Sequence, residues 1–233
     1  MTDIEAVLFD FSGTLFRLEE DQSWFAGMEL DLRPDDARDD DTRAVDGHVQ
    51  AELMRRLTAP TGRSVDMPPE ALEAWMKRDL APHLHREAYL HVLRESGLAR
   101  HHAESLYARV IDPASWTAYP DTPAALQTLR GRGVKTAVVS NIAFDVRPAF
   151  EEVGDVDEFV LSFEVGTVKP DPAIFATALE RLGVAAERTL MVGDSDEADG
   201  GARALGCAFA LIDPLPTAQR PDGLIEALRP YSF

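Results

Sequence analysis

The chain has 233 residues, 45% of them hydrophobic and 27% charged, and a formal net charge of −18 at pH 7. That length and apolar share are enough for the core of one large or two modest domains, while the charge argues against nucleic acid held through phosphate contacts and against anionic membrane surfaces. A lone cysteine, Cys207, excludes an intrachain disulfide framework and a cysteine-built zinc site. Residues 1–5 are acidic rather than basic, and no run of about 18 apolar residues occurs. The sequence is therefore expected to be soluble and cytoplasmic, with no signal peptide or membrane span.

The first element is a nearly continuous apolar run at residues 6–11, the pattern of a strand covered on both faces. From Arg17 to Trp116 strand signals disappear and helical spacing takes over, as in Leu53/Met54/Leu57, Leu72/Trp75/Met76 and Leu90/Leu93. Pro68-Pro69 marks one helix start and Gly97 one end. All six histidines (His48, His83, His85, His91, His101 and His102) fall in this segment, as does an acidic stretch at residues 35–41 that reads as a solvated loop. A helix then opens at Thr122-Pro123 (N-cap, then proline at N1) and closes at Gly133. Strand runs follow at 136–139 and 159–161. A second helix opens at Asp171-Pro172, carries Ile174, Phe175, Ala178 and Leu182 on one face and closes at Gly183. Two more strand runs follow at 189–192 and 208–212. The alternation predicts an α/β fold, a Rossmann-like doubly wound parallel sheet. Its domain would comprise residues 1–16 and 118–233, with 17–117 as a helical cap inserted after the first strand.

In open α/β sheets ligands bind beyond the carboxyl ends of the strands. Four of those ends carry polar groups: Asp10-Phe11-Ser12-Gly13-Thr14-Leu15, Ser140-Asn141, Lys169-Pro170, and Gly193-Asp194 through Asp199. Each alone has a dull explanation as a turn or a surface patch. Together they suit one anion and one metal. A carboxylate nucleophile approaches a phosphoryl group only if the negative charge is neutralised, which Mg²⁺ does with few protein ligands. Asp10 and Asp194 are the natural carboxylates for it. Lys169, the Ser140 hydroxyl and N–H groups around Gly13 would hold the transferring oxygens, and attack by Asp10 would give an aspartyl-phosphate.

The four segments, in this order and spacing, resemble the motifs of the haloacid dehalogenase-like superfamily. The first motif, D-x-D-G-T-[LV], matches residues 10–15; the second and third match Ser140 and Lys169-Pro170; the fourth, G-D-x-x-x-x-D, matches Gly193-Asp194 through Asp199. The resemblance implies that Asp10 is nucleophile and metal ligand, that Ser12 lends its carbonyl to the metal, and that Asp194 is the other metal carboxylate. It implies that Thr14, Ser140 and Asn141 contact the phosphoryl group, that Lys169 pairs with both that group and Asp10, and that Asp199 supports the site. A small phosphorylated metabolite would be the substrate.

Ser12 departs from the pattern, since ordinary phosphatases of the family carry a second aspartate there as general acid and base. General acid–base help is worth roughly 10²–10⁴-fold, so turnover is expected to be weak or specialised. The departure keeps other readings open: a phosphonatase, which needs a Schiff-base lysine for which Lys77 is the insert's one candidate; a 2-haloacid dehalogenase; or a catalytically weak phosphate-binding regulatory protein.

Overall fold

The computed structural model describes residues 3–19, 22–26, 50, 53, 67–231 and 233. The acidic stretch at 35–41, His48, Met54 and Leu57 lie outside them. The chain divides into one unit of residues 1–19 and 116–233 and a second of residues 20–115.

The first unit is built on a parallel sheet. Its strands are β1 (Ala6–Phe9), β4 (Lys135–Ser140), β5 (Glu158–Leu161), β6 (Thr189–Gly193) and β7 (Ala208–Leu211), in spatial order β5-β4-β1-β6-β7. The two short strands β2 (Phe16–Arg17) and β3 (Thr117–Ala118) pair antiparallel where the chain leaves and re-enters this unit. This is the doubly wound α/β architecture the alternation predicted, and every expected strand run is occupied by a strand.

The period-2 pattern of buried strands decides what each face packs against. Val7, Phe9, Val138, Leu161, Leu190 and Val192 point one way, onto Ala125, Leu126 and Leu129 of helix α4 (Thr122–Gly131) and onto Leu224 and Leu228 of helix α7 (Gly223–Leu228). Ala6, Leu8, Ala137, Val139, Val160 and Met191 point the other way, onto Ile174, Phe175, Ala178 and Leu182 of helix α6 (Pro172–Leu182). Cys207 is buried in that second layer, as a structural thiol would be. Burying one such aliphatic or aromatic side chain is worth roughly 1.5–3 kcal/mol, so both faces must be covered for the sheet to hold.

Helix boundaries follow local chemistry at one helix and tertiary chemistry at another. Asp171 caps α6, its carboxylate accepting from the Ala173 N–H at 2.9 Å, and Gly183 ends it in the left-handed region. Thr122 does not cap α4. Its hydroxyl donates instead to the Leu15 carbonyl (2.9 Å), and the neighbouring Asp121 accepts from the Leu224 and Ile225 N–H groups (2.7 and 3.1 Å), so that it caps α7, about a hundred residues away.

The second unit is helical where it is described: α1 (Pro69–Met76), α2 (Pro82–Glu95) and α3 (Arg100–Val110), with the short helix α5 (Ser162–Val165) belonging to the first unit. Proline opens α1 and α2, and Gly97 follows α2 with φ +86°. Ala74, Trp75 and Ala88 form the buried centre of the α1–α2 contact. Met76, expected on the apolar face of α1, is 69% exposed. Among the described residues no helix is long and apolar enough to cross a membrane.

Candidate active site

Asp10 follows β1 directly, its N–H continuing the ladder to the Val192 carbonyl (3.0 Å). The chain then folds back at once. The N–H groups of Leu15 and Phe16 both donate to the Phe11 carbonyl (3.0 and 2.9 Å), and the Gly13 N–H donates to the Phe16 carbonyl (2.8 Å). Phe11 anchors this turn from below, stacked on Phe16 at 4.9 Å, with Trp116 beside it and Phe150 edge-on to Phe16. Pairs of this kind are worth about 0.5–1.5 kcal/mol each beyond burial. The turn needs glycine at position 13 for two reasons: its φ is +76°, and a Cβ there would stand 2.3 Å from Asp194 Oδ2.

Three segments converge on one spot: the turn after β1, the segment before α6 and the loop after β6. Lys169, in the segment between α5 and α6 and joined to Pro170 by a cis peptide, donates from Nζ to Asp10 Oδ1 and to Asp199 Oδ1, both at 2.6 Å. Asp199 also accepts from the Ser195 N–H through Oδ2 (3.0 Å), closing the loop that follows β6. That loop leaves β6 through Gly193, where a Cβ would lie 2.1 Å from Asp199 Oδ2, so only glycine permits the carboxylate to sit there. Asp10, Asp194 and Asp199 place carboxylate oxygens within 4.8 Å of one another. Ser140 is buried at the end of β4, and Thr14 is fully buried with no hydrogen-bond partner for Oγ1 among the described residues.

The electrostatics follow from crowding. Burial pushes the Asp10 carboxyl up; Lys169 pulls it down and Asp199 pushes it up again, leaving it above the usual carboxylate range. Burial likewise raises Asp194, and the Asp10 and Asp199 charges raise it further. Burial works to lower Lys169, but Asp10 and Asp199 outweigh it and hold the ammonium above the ordinary lysine range. Lys169 pairs with two of the three carboxylates and the Arg220 guanidinium lies in the field of the third, so a net negative charge remains when all are ionised. A divalent cation fits that deficit, and an all-oxygen donor set suits a hard ion such as Mg²⁺.

Two predicted residues serve other partners. Asn141 has both ends of its amide on the backbone of Lys169, Nδ2 donating to the carbonyl (2.9 Å) and Oδ1 accepting from the N–H (2.7 Å), an arrangement that orients the lysine. Gly13 has its own N–H engaged in the turn. Lys77 is exposed and paired with Glu73 on the surface of α1 (2.8 Å), as a plain surface lysine would be. Asp196 and Glu197 are exposed, Asp196 pairing with Arg203. The sequence reading missed Arg220, a buried arginine whose guanidinium contacts the turn carrying Asp10. In sequence it shows only as an arginine between Gln219 and Pro221, with no motif around it.

Comparison with known proteins gives concordant matches. A family model described as haloacid dehalogenase-like hydrolase matches residues 4–206. The chain is 39% identical over 119 residues to haloacid dehalogenase-like hydrolase domain-containing protein 3 of Bos taurus, covering 49% of this chain and 47% of that one. It is 33% identical over 150 residues to phosphoserine phosphatase of Thermus thermophilus, covering 62% and 58%. The chain spans about half the length of the curated relatives it matches. In structure it resembles L-2-haloacid dehalogenase of Xanthobacter autotrophicus, with a TM-score of 0.60, 24% identity and coverage of 96% and 83%, a likeness of fold.

Proposed function

The chain belongs to the haloacid dehalogenase-like hydrolase family, and from that membership we propose a Mg²⁺-dependent phosphatase-type hydrolase that acts on a small phosphorylated metabolite through an aspartyl-phosphate on Asp10. The observation that carries this reading is the buried grouping of Asp10, Asp194 and Asp199 around the single ammonium of Lys169. Phosphatase names among the relatives support it.

Asp10, the carbonyl of Ser12 and Asp194 would hold the cation, which when bound offsets the charge of the incoming phosphoryl group. The remaining work falls to the protein. Asp10 attacks phosphorus with the oxygen not tied to Lys169, forming the acyl-phosphate bond as the ester oxygen departs with its electron pair. Lys169 and the Ser140 hydroxyl hold the phosphoryl oxygens. Asp199 and Asn141 keep Lys169 aimed, one through its ammonium and the other through its backbone. Water then attacks phosphorus, releasing phosphate and regenerating Asp10. Residues 20–115 would act as the cap that selects the substrate.

Hydrolysis of an aryl phosphate with and without Mg²⁺ tests the reading: Mg²⁺-dependent release abolished by Asp10→Asn is expected, and release unaffected by chelation would overturn it. Ser12 favours one second reading, a C–halogen hydrolase, because a halide leaves without needing a proton. Halide release from a 2-haloacid in the presence of chelator would favour that alternative. The carboxylate of Asp194 argues against it.

A further inference from the structure

The turn that carries Asp10 is gripped from residues beyond the family-matched stretch 4–206. Arg220, 5% exposed, donates from Nη1 to the Gly13 carbonyl (2.7 Å) and more weakly to that of Asp213 (3.4 Å), and from Nη2 to the Thr14 carbonyl. Its guanidinium lies 3.1 Å from the centroid of the Tyr119 ring, and the Tyr119 hydroxyl donates in turn to the Leu215 carbonyl (2.8 Å). Taking a guanidinium out of water is costly, and an apolar side chain would fill the same space more cheaply. What an apolar side chain cannot do is fix the direction of two consecutive carbonyls, which a planar fork of donors does. Because each peptide unit is planar, fixing the carbonyl fixes the whole unit.

The unit so fixed abuts the cation site. With a Cβ at Gly13 falling 2.3 Å from Asp194 Oδ2 and 2.9 Å from its Cγ, the Gly13 backbone is the wall against which the Asp194 carboxylate rests. Asp10 enters the same turn from β1. A drift of the Gly13–Thr14 peptides therefore moves the wall behind Asp194 relative to Asp10.

We propose that Arg220 is a positioning residue for the cation site, holding the Gly13 and Thr14 carbonyls so that Asp194 stays placed opposite Asp10. The inference rests on the metal-assisted reading of that site. Its sign separates it from a simple field effect. A positive charge near Asp194 opposes cation binding, so removing Arg220 would tighten binding if charge were all that mattered. Positioning predicts the reverse.

The test is calorimetric titration of substrate-free protein with Mg²⁺, comparing the wild type with Arg220→Met and Arg220→Lys. Loss of a residue that orients a metal ligand costs about 10–100-fold in affinity, and a loss in that range is expected for Arg220→Met. Arg220→Lys keeps the charge but not the fork and is expected to bind several-fold more weakly than wild type. It is the milder variant should Arg220→Met fail to fold. Methylguanidine added to Arg220→Ala is expected to restore affinity. In turnover the half-saturating Mg²⁺ concentration is expected to rise, a shift that general loss of folded protein does not produce. Equal or tighter Mg²⁺ binding in Arg220→Met, or wild-type binding in Arg220→Lys, would overturn the proposal and leave the site reading standing. Absence of Mg²⁺ binding in the wild type removes the site reading itself, and this inference with it.

Discussion

Ser12 sits two residues past Asp10, half-buried in the turn that Phe11 anchors. A serine hydroxyl has no pKa near neutrality with which to act as general acid or base, so in the proposed mechanism Ser12 would neither protonate the departing ester oxygen nor activate the water that follows. Two consequences are expected of the wild type: aryl and acyl phosphates, whose leaving groups need no proton, are cleaved far faster than alkyl phosphates, and phosphorylated Asp10 accumulates. Ser12→Asp is expected to raise alkyl-phosphate turnover by about 10²-fold or more while changing aryl-phosphate turnover less. Leaving-group dependence measured across a series of phosphate esters checks this. A flat series in the wild type would mean that another group supplies the proton.

Gly193 makes a second residue-scale prediction. A methyl group there collides with Asp199, whose two oxygens hold Lys169 and the Ser195 N–H. Gly193→Ala is expected to destabilise the protein by roughly 1–3 kcal/mol, the usual range for overpacking. It should also weaken aryl-phosphate cleavage, because Lys169 loses one of the carboxylates that aim it. Denaturant unfolding and steady-state kinetics on the same variant separate the two losses.

At the level of elements, what could be read from sequence was whatever depends on neighbours in the chain. The five sheet strands were legible because burial on both faces leaves an unbroken apolar run, and α6 was legible because Asp171 and Pro172 complete its start within two residues. Thr122-Pro123 carries the same signature, yet its threonine serves the Leu15 carbonyl and Asp121 serves α7. Nothing local marks either bond. Arg220 was invisible for the same reason, since its partners are backbone carbonyls some two hundred positions away. Asn141 was found as a strand-end polar residue, but its partner is again main chain, that of Lys169. Side-chain motifs point to a site; backbone acceptors, which every residue carries, leave no trace. Asp121 gives this level its prediction. Asp121→Ala strips the cap from a helix of two turns and leaves two N–H groups without their acceptor, so a loss of about 1–2 kcal/mol is expected. Asp121→Asn, which keeps one acceptor oxygen, should recover much of it in chemical denaturation.

On the scale of the whole molecule, buried titratable groups of the two units are expected to respond to pH in opposite senses. In residues 20–115 the imidazole of His85 is buried, stacked on Tyr89 at 4.3 Å and hydrogen-bonded to the Tyr107 hydroxyl at 3.0 Å. Burial, with the Arg78 charge added, holds its pKa down at about 3, against 6.5 in the unfolded chain. Between those values the unfolded state binds a proton that the folded state refuses, so stability is full above pH 6.5 and falls as pH drops towards 3, by up to about 1.4 kcal/mol per unit. The α/β unit contains the reverse case. Asp10 and Asp194 are raised by burial and mutual repulsion, so without a cation the folded state takes up protons before the unfolded one does. That part of its stability is present at acid pH and lost as pH rises above the ordinary carboxylate range. Mg²⁺ at neutral pH should restore it by binding the folded state alone. Thermal unfolding from pH 7 to pH 4.5, with and without chelator and followed by hydrogen exchange, is expected to show residues 67–115 losing protection as pH falls while the parallel sheet gains it in chelator. His85→Phe, which keeps the ring stack but cannot titrate, should flatten the response of residues 67–115 and leave that of the sheet unchanged. If the slope of residues 67–115 persists in that variant, its acid sensitivity comes from a group other than His85.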